Sequence, residues 1–400
     1  MGPLKILHGA YIVGKASFGI GQISISLAKA QYELKNDVSI WCLDKYENIN
    51  WAAENHEFPV EHFTGYKLLG PEFLWYSPGM DKQADKKADG VFDIVHQHGM
   101  WTGISRATLK FSQKKKTATV IAPHGSLNPY VLSLSKWKKR IALTVYEREN
   151  LKLASCLHAT SENEILDFRK FGLKNPIAYI QNGIEGRYLS VGGNAISFRN
   201  EYGISTHKRV LLFLSRISPK KGLPMLVEAI SSIRNIFKDW QLIIAGIEEF
   251  GHQKEVESLI IQFNLEENIK IIGPLFGTAK HDAFAAAELF ILPSHSEGSP
   301  MVVLDSLAAG VPVITTKASS WNDLLEFDCG WWPGISTKEI ALALSHAVTM
   351  SAEDLQRMGE QGKELIASKY TWPQLAQKTI LLYEWLLGKV NDKPDFVHID

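Results

Sequence analysis

A short apolar run that stops at Gly, His, Asn or Ser, then an amphipathic stretch of helical length, recurs along most of the chain. In the first half the runs are LKILHGA, DVSIWCL, DIVHQHG, ATVIAPHG, CLHATS and IAYIQNG; in the second they are RVLLFLS, WQLIIAG, IKIIG, LFILPS and VPVITT. Near-continuous apolar strands separated by helices imply parallel sheets covered on both faces. Between two of them, Leu223, Leu226, Val227, Ile230 and Ile233 share one helical face, the spacing of a helix that turns toward a core. The rhythm breaks at QNGIEGRYLSVGGNAIS, rich in Gly, Asn and Ser, and 400 residues exceed one ordinary core. The fold class expected is α/β, with two doubly wound domains spanning 1–190 and 191–371. In such sheets ligands sit beyond the carboxyl ends of the strands, so the polar residues collected there are the ones to examine.

Composition excludes several classes. A hydrophobic fraction of 45% with 22% charged residues is that of a globular protein. No apolar run reaches the ~18 residues of a membrane span, and MGPLKILHGA lacks a signal peptide's apolar core. Cys42, Cys156 and Cys329 show no metal-ligand spacing and read as reduced thiols of a cytoplasmic protein. The net charge of zero hides an asymmetry: residues 1–190 hold 24 Lys/Arg against 18 Asp/Glu, and the remainder 19 against 25. Residues 101–140 carry nine Lys/Arg and no acid, with KKK at 114–116 and KWKKR at 136–140. That is either a solvated face or a surface for an anionic membrane or acceptor. No recognition helix or aromatic RNA-binding strand is present, so no nucleic acid is expected.

Four constellations carry chemistry. In LFILPSHSEGSPMVVLDSLAAG a strand leads to a loop, Ser299 and Pro300 read as cap and first turn, and Gly310 ends the helix. A helix N-terminus there attracts anions. Glu297 lies before it and Asp305 about two turns in, and carboxylates grip the paired hydroxyls of sugars and riboses. Hydroxyls at both ends with phosphate between describe a sugar nucleotide. In FLSRISPKKG, Arg216 and Lys221 flank the end of a strand, two cations suited to a diphosphate. No Asp-x-Asp or other Mg²⁺ motif occurs, so no metal is expected and these cations would neutralise the leaving group. The loops VHQHGMW and APHGSLNP bring His96, His98 and His124 to strand ends. His124 is the ligand candidate; His96 and His98 have metal-like spacing without an apparent third partner. FGIGQ places Gly19 and Gly21 before the first helix but lacks the third glycine of a dinucleotide fingerprint.

Together these features resemble the retaining glycosyltransferases of family four, of the two-Rossmann-domain GT-B type. The resemblance rests on Glu297-x7-Asp305 followed by AAGVPVI, on Arg216 and Lys221 in SRISPKKGL, on the PHG of the first domain and on QNGIE. It implies two Rossmann-like domains facing each other across a cleft. The amphipathic helix at about 372–390 would cross back to complete the amino-terminal, acceptor-side domain, so that the domains close over the donor. It implies that Glu297 binds donor-sugar hydroxyls, Asp305 the ribose, and Arg216 and Lys221 the diphosphate. Amides around Ser299, Pro300 and Met301 would face sugar and phosphate, His124 would sit over the sugar, and Gly19 and Gly21 would let the first loop approach.

The activity implied is transfer of a hexose-type sugar from a nucleotide-diphosphate sugar to a glycan or lipid-linked acceptor. Retention would follow a metal-independent front-face mechanism with no cofactor. The setting would be cell-surface polysaccharide biosynthesis, in the cytoplasm or peripherally at the inner face of the membrane. Three departures from the family pattern stand out: Asp305 for the usual Glu, EGSP for EGFG, and Phe18 where glycine is frequent. The alternatives are a GT-B epimerase or hydrolase of sugar nucleotides and a noncatalytic nucleotide- or glycan-binding protein.

Overall fold

Each of the eleven apolar runs forms a strand in the computed structural model, which describes residues 2–14, 19–70, 75–87, 91–114, 117–133 and 135–399. The chain divides into two units, Met1–Gly183 with Trp372–Asp400, and Ile184–Thr371.

The first unit holds an eight-stranded sheet. Its strands are β1 (Lys5–Gly9), β2 (Asp37–Cys42), β3 (Phe63–Gly65), β4 (Ile94–His98), β5 (Ala118–Ala122), β6 (Cys156–Ala159), β7 (Ile177–Tyr179) and, from the C-terminus, β14 (Val397–His398). They run in the order β14-β7-β6-β5-β4-β1-β2-β3, parallel except where β14 pairs antiparallel with β7. The Trp372–Leu386 helix belongs to this unit and packs against the Ile20–Glu33 helix.

The second unit holds β8 (Arg209–Leu214), β9 (Trp240–Ala245), β10 (Ile269–Gly273), β11 (Leu289–Leu292), β12 (Val313–Thr315) and β13 (Gly330–Trp331). Their order, β10-β9-β8-β11-β12-β13, is that of a doubly wound sheet. Val210–Phe213, Leu242–Ala245 and Leu289–Leu292 are fully buried, which is why these strands read as unbroken apolar runs. The helix expected from Leu223 onward spans Leu223–Ser232 and buries Leu223, Leu226, Val227 and Ile230, while Ile233 caps it.

In each sheet the side on which successive strands are added reverses once, between the parallel neighbours β1 and β4 in the first unit and β8 and β11 in the second. Crevices that receive ligands form at such points, outside the carboxyl ends of the strands. Residues 184–190 fall in the second unit rather than the first. Ile184 is buried in that unit's core, bridges Thr371 and donates its N–H to the Tyr370 carbonyl at 2.8 Å.

Candidate functional site

The reversal point of the second sheet gathers the basic and acidic residues picked out in the sequence. After β8 the chain makes a short 3₁₀ turn, Pro219–Lys221, and Gly222 follows with φ 69°. A Cβ on Gly222 would lie 2.1 Å from the Pro293 carbonyl, so only glycine lets the loop after β8 press against the loop after β11. That contact sets Lys221 beside Glu297. Lys221 Nζ and Ser294 Oγ each donate to Glu297 Oε1 at 2.5 Å, and both charged side chains are less than 10% exposed. The Glu297 N–H donates to the Ala318 carbonyl and the His295 N–H to the Lys220 carbonyl, which ties three loops together.

Arg216 stands at the same edge, but more than half of its side chain is exposed and it bonds Glu249 at 2.7 and 3.0 Å. Lys220, which the sequence reading passed over, completes the cationic edge. Burial lowers its pKa, with Glu297 opposing and Lys221 and Arg216 adding to the depression. The doubled lysine of SPKKG was the signal for it.

The helix that follows Glu297 spans Met301–Ala308. Its N-cap is Pro300, with φ −71° and ψ 110° and no side-chain cap, rather than Ser299. Proline's fixed φ suits the extended residue just outside the helix, so the helix starts one residue later than the Ser-Pro pair suggests. Val303 N–H bonds the Pro300 carbonyl, and Met301 and Val302 supply the amides that open the helix. Asp305 is the fifth helical residue, little more than one turn in, not two. It pairs with Lys280 Nζ at 2.7 Å and lines a cavity of about 280 Å³ with Tyr188, Gly192, His281 and Lys363. Glu297, Arg216 and Lys221 do not line that cavity, so Asp305 faces different surroundings from the other three.

In the first unit Gly19 caps the Ile20–Glu33 helix with φ 103°, a conformation open to glycine, and Gly21 is buried in its first turn. Phe18 lies outside the described residues. His124 follows β5 with φ 50° and is partly exposed. Its loop is pinned by Glu164, which accepts the Gly125 N–H at 2.5 Å and the Thr160 N–H and hydroxyl at 2.8 and 2.6 Å. The capping pattern SENE at 161–164 pointed to this carboxylate, although its side chain serves Thr160 and Gly125.

His96 and His98 do have a third partner. β1 pairs with β4 so that His8 stands opposite His96, and nitrogens of the three buried rings lie within 4.8 Å of one another. Strand neighbours this far apart in sequence were not visible from spacing. These nitrogens are already engaged: His8 with His98 and Gln31, His96 with Tyr383 and His158, His98 with His124. Burial holds all five imidazoles neutral, bringing His8 and His158 to about 4 and His124 to about 3.

Beyond β4 lies a cavity of about 700 Å³ walled by Tyr11, Trp75, Tyr76, Trp101, Trp137 and Tyr146, with Arg106, Lys138 and Lys139 among its lining. Arg106 is held by Asp81 at 2.9 Å and Lys139 by the Val131 carbonyl. Of the KKK run, Lys115 and Lys116 lie outside the described residues. Behind this wall, in a π-helical turn Leu143–Glu147, the fully buried Glu147 accepts the Trp101 N–H at 3.1 Å. Burial pushes its pKa up to about 7 against hydrogen bonds from Ser105, Trp101 and Asn150. The three cysteines are buried and free, with thiols pushed up to about 12 by burial. Among the described residues no helix is long and apolar enough to cross a membrane.

Residues 195–365 match the sequence family described as glycosyl transferases group 1, and residues 18–183 match the glycosyl transferase 4-like domain. The chain is 22% identical over 395 residues to the uncharacterized glycosyltransferase MJ1607 of Methanocaldococcus jannaschii, covering 93% of this chain and 95% of that protein. It is 26% identical over 195 residues to the lipopolysaccharide 1,2-N-acetylglucosaminetransferase of Salmonella typhimurium, 46% of this chain and 50% of that one. Among solved structures, HepE of Anabaena in complex with UDP superposes with a TM-score of 0.73 at 18% identity, over 96% of this chain and 100% of that chain. At that identity the likeness speaks to the fold, two parallel α/β domains of the GT-B type.

Proposed function

Since the chain belongs to the group 1 glycosyl transferases, with a 4-like domain ahead of the group 1 domain, we propose that it moves a hexose-type sugar from a nucleotide-diphosphate sugar to a glycan or lipid-linked acceptor. The observation that carries this reading is the buried Lys221–Glu297 pair, where the sheet of the second unit reverses. A buried lysine and glutamate beside a helix N-terminus are expensive to keep for stability alone, since apolar residues of similar volume would serve as well or better.

The chemistry follows from what each group can do. A departing diphosphate gains charge in the transition state, and fixed cations in a water-poor crevice stabilise it more than they stabilise the bound donor. Lys221, held at one oxygen of Glu297, has two further protons for phosphate oxygens; Arg216 and Lys220 add charge at the edge. The amides of Met301 and Val302, with the positive end of their helix, suit the phosphates or the sugar. Glu297 keeps Oε2 for hydroxyls of the donor sugar. Its other oxygen is held by an ammonium and a hydroxyl, which disfavours attack on carbon. We therefore assign no covalent intermediate, and the configuration is retained by front-face substitution, with the leaving phosphate helping to deprotonate the acceptor. Cations replace a metal in this scheme. Asp305, already bonded to Lys280, is the proposed ribose contact, and its shorter side chain reaches it through water.

The aromatic cavity of the first unit suits the acceptor. Flat rings stack on sugar faces or an apolar chain, and the basic residues along 101–140 complement an anionic group. Relatives named for lipopolysaccharide synthesis support a role in glycan assembly, which we place in the cytoplasm or at the inner face of a membrane. The test is turnover of UDP-, GDP- and ADP-sugars in EDTA, with and without glycan acceptors. The account expects transfer only with acceptor, and anomeric configuration kept in the product by NMR. Hydrolysis or epimerisation without acceptor, or inversion, would contradict it.

A further inference from the structure

Seven side chains of the first unit, drawn from four strands or their loops and two helices, form one unbroken file of hydrogen bonds. The file starts at the Ile180 carbonyl, 2.7 Å from His158 Nε2. His158 Nδ1 lies 3.1 Å from His96 Nε2, and His96 Nδ1 lies 2.7 Å from the Tyr383 hydroxyl. Gln31 Nε2 reaches that hydroxyl at 3.3 Å, and Gln31 Oε1 lies 2.8 Å from His8 Nε2. His8 Nδ1 meets His98 Nε2 at 2.9 Å, and His98 Nδ1 meets His124 Nε2 at 3.3 Å. Every member but His124 is buried.

The direction of this file is forced. A carbonyl oxygen only accepts, so His158 carries its proton on Nε2. A neutral imidazole has one N–H, so His158 Nδ1 accepts, and the proton between it and His96 sits on His96 Nε2. His96 Nδ1 must then accept from the Tyr383 hydroxyl, whose oxygen accepts from the Gln31 amide. Gln31 Oε1 in turn accepts from His8 Nε2, His8 Nδ1 from His98 Nε2, and His98 Nδ1 from His124 Nε2. Running the file the other way would set a lone pair of His158 against the Ile180 carbonyl, unless an extra proton were added. Burial, which depresses all five imidazoles, opposes that proton.

We propose that this file fixes His124 as its Nε2–H tautomer, so that Nδ1 is presented as an acceptor and selects a hydroxyl of a sugar acceptor bound at the first unit rather than a phosphate oxygen. His124 Nδ1 has no hydrogen-bond partner among the described residues, and the ring is held at a left-handed backbone position, φ 50°, at the mouth of its loop. An acceptor nitrogen repels phosphate oxygens and welcomes O–H donors, so its tautomer is a specificity element. Tyr383 and Gln31 are positioning residues that touch no ligand. Tyr383 brings in the C-terminal helix, which thereby bears on a loop 259 residues earlier in the chain. The substrate half of this inference rests on the glycosyltransferase reading; the tautomer half does not.

The test is long-range ¹H–¹⁵N correlation of the histidine side chains in the full-length chain near pH 7.5, with His124 assigned by loss of its signals in His124→Gln. The expected result is five neutral rings with His124 protonated at Nε2. Gln31→Met and Tyr383→Phe, near-isosteric changes that leave the His8 branch without its anchor, should give a mixture of His124 tautomers while the amide spectrum stays that of a folded protein. With the Nε2–H form reduced to about half, apparent affinity for the glycan acceptor that supports turnover should fall about twofold or more. An Nδ1–H His124 in the unaltered chain, or an unchanged His124 in both folded variants, would overturn the file. Zn²⁺ bound at one equivalent through His8, His96 and His98 would overturn it too, by claiming the same nitrogens. Tautomers as expected with glycan-acceptor affinity unmoved would overturn the sugar contact alone.

Discussion

Lys221 and Glu297 are each buried where a lone charge is costly, and each is acceptable only because of the other. Lys221→Ala should lower turnover by about 10²–10³, the loss typical of a group that stabilises developing charge. Glu297→Ala should do the same, and each of these two variants should reduce stability by about 3–5 kcal/mol, because each strands the buried charge of the other residue. Arg216→Ala should lower turnover with little change in unfolding, since its exposed pair with Glu249 contributes about 0–1 kcal/mol. Steady-state kinetics and denaturant titration of the three variants would separate the two effects; full activity in Lys221→Ala would remove that residue from the mechanism. Arg216, Lys221 and Glu297 were legible because charge at the end of an apolar strand has few other reasons to exist. His8 was not, because its importance comes from standing opposite His96, and strand order is absent from spacing. Lys280 was hidden for the same reason, as the partner of Asp305 from a neighbouring helix.

At the scale of elements, a strand shows in sequence when both of its faces are buried, as in Leu289–Leu292. The ones that did not show are Phe63–Gly65, Gly330–Trp331 and Val397–His398, two or three residues long and at sheet edges, too short for any period to register. The start of the Met301–Ala308 helix was off by one residue because a Ser-Pro pair resembles a cap and first turn, whereas here proline is itself the cap. Proline is tolerated at the first helical position, so Met301→Pro should leave thermal stability nearly unchanged. It removes an amide proposed to face the donor, and the donor dissociation constant should rise about tenfold, a lost hydrogen bond of about 1.4 kcal/mol. Unchanged affinity in calorimetry would mean that this amide meets no ligand. Gly222→Ala should be damaging for the opposite reason, since its Cβ would strike the Pro293 carbonyl and part the two loops that hold Lys221 against Glu297.

For the whole molecule, buried titrating groups set how stability depends on pH. The folded pKa values of His8 and His158 are lowered to about 4 and that of His124 to about 3, so their contributions are complete above the unfolded value of about 6.5 and are lost as pH falls toward the folded values. Glu147 acts the other way. Its folded pKa is raised to about 7, so its contribution is complete below about 4.5 and is lost as pH rises through 7. Stability should therefore fall steeply on acidification below 6.5, where the histidines outnumber the glutamate. Glu147→Gln should gain on the unaltered chain between pH 5 and pH 8 by up to about 3 kcal/mol. Denaturant midpoints at the two pH values check the sign; a gap that shrinks toward pH 8 would contradict it.

The central claim is a nucleotide-sugar site built on Lys221 and Glu297 that needs no metal, and thermal unfolding with UDP, GDP or ADP in EDTA tests it most directly. One nucleotide at about 100 times its dissociation constant should add about 2.7 kcal/mol of stability to the unaltered chain, and Lys221→Ala should lose most of that gain. If no nucleotide raises the unfolding temperature, or if Lys221→Ala responds as strongly as the unaltered chain, the site lies elsewhere and the account fails.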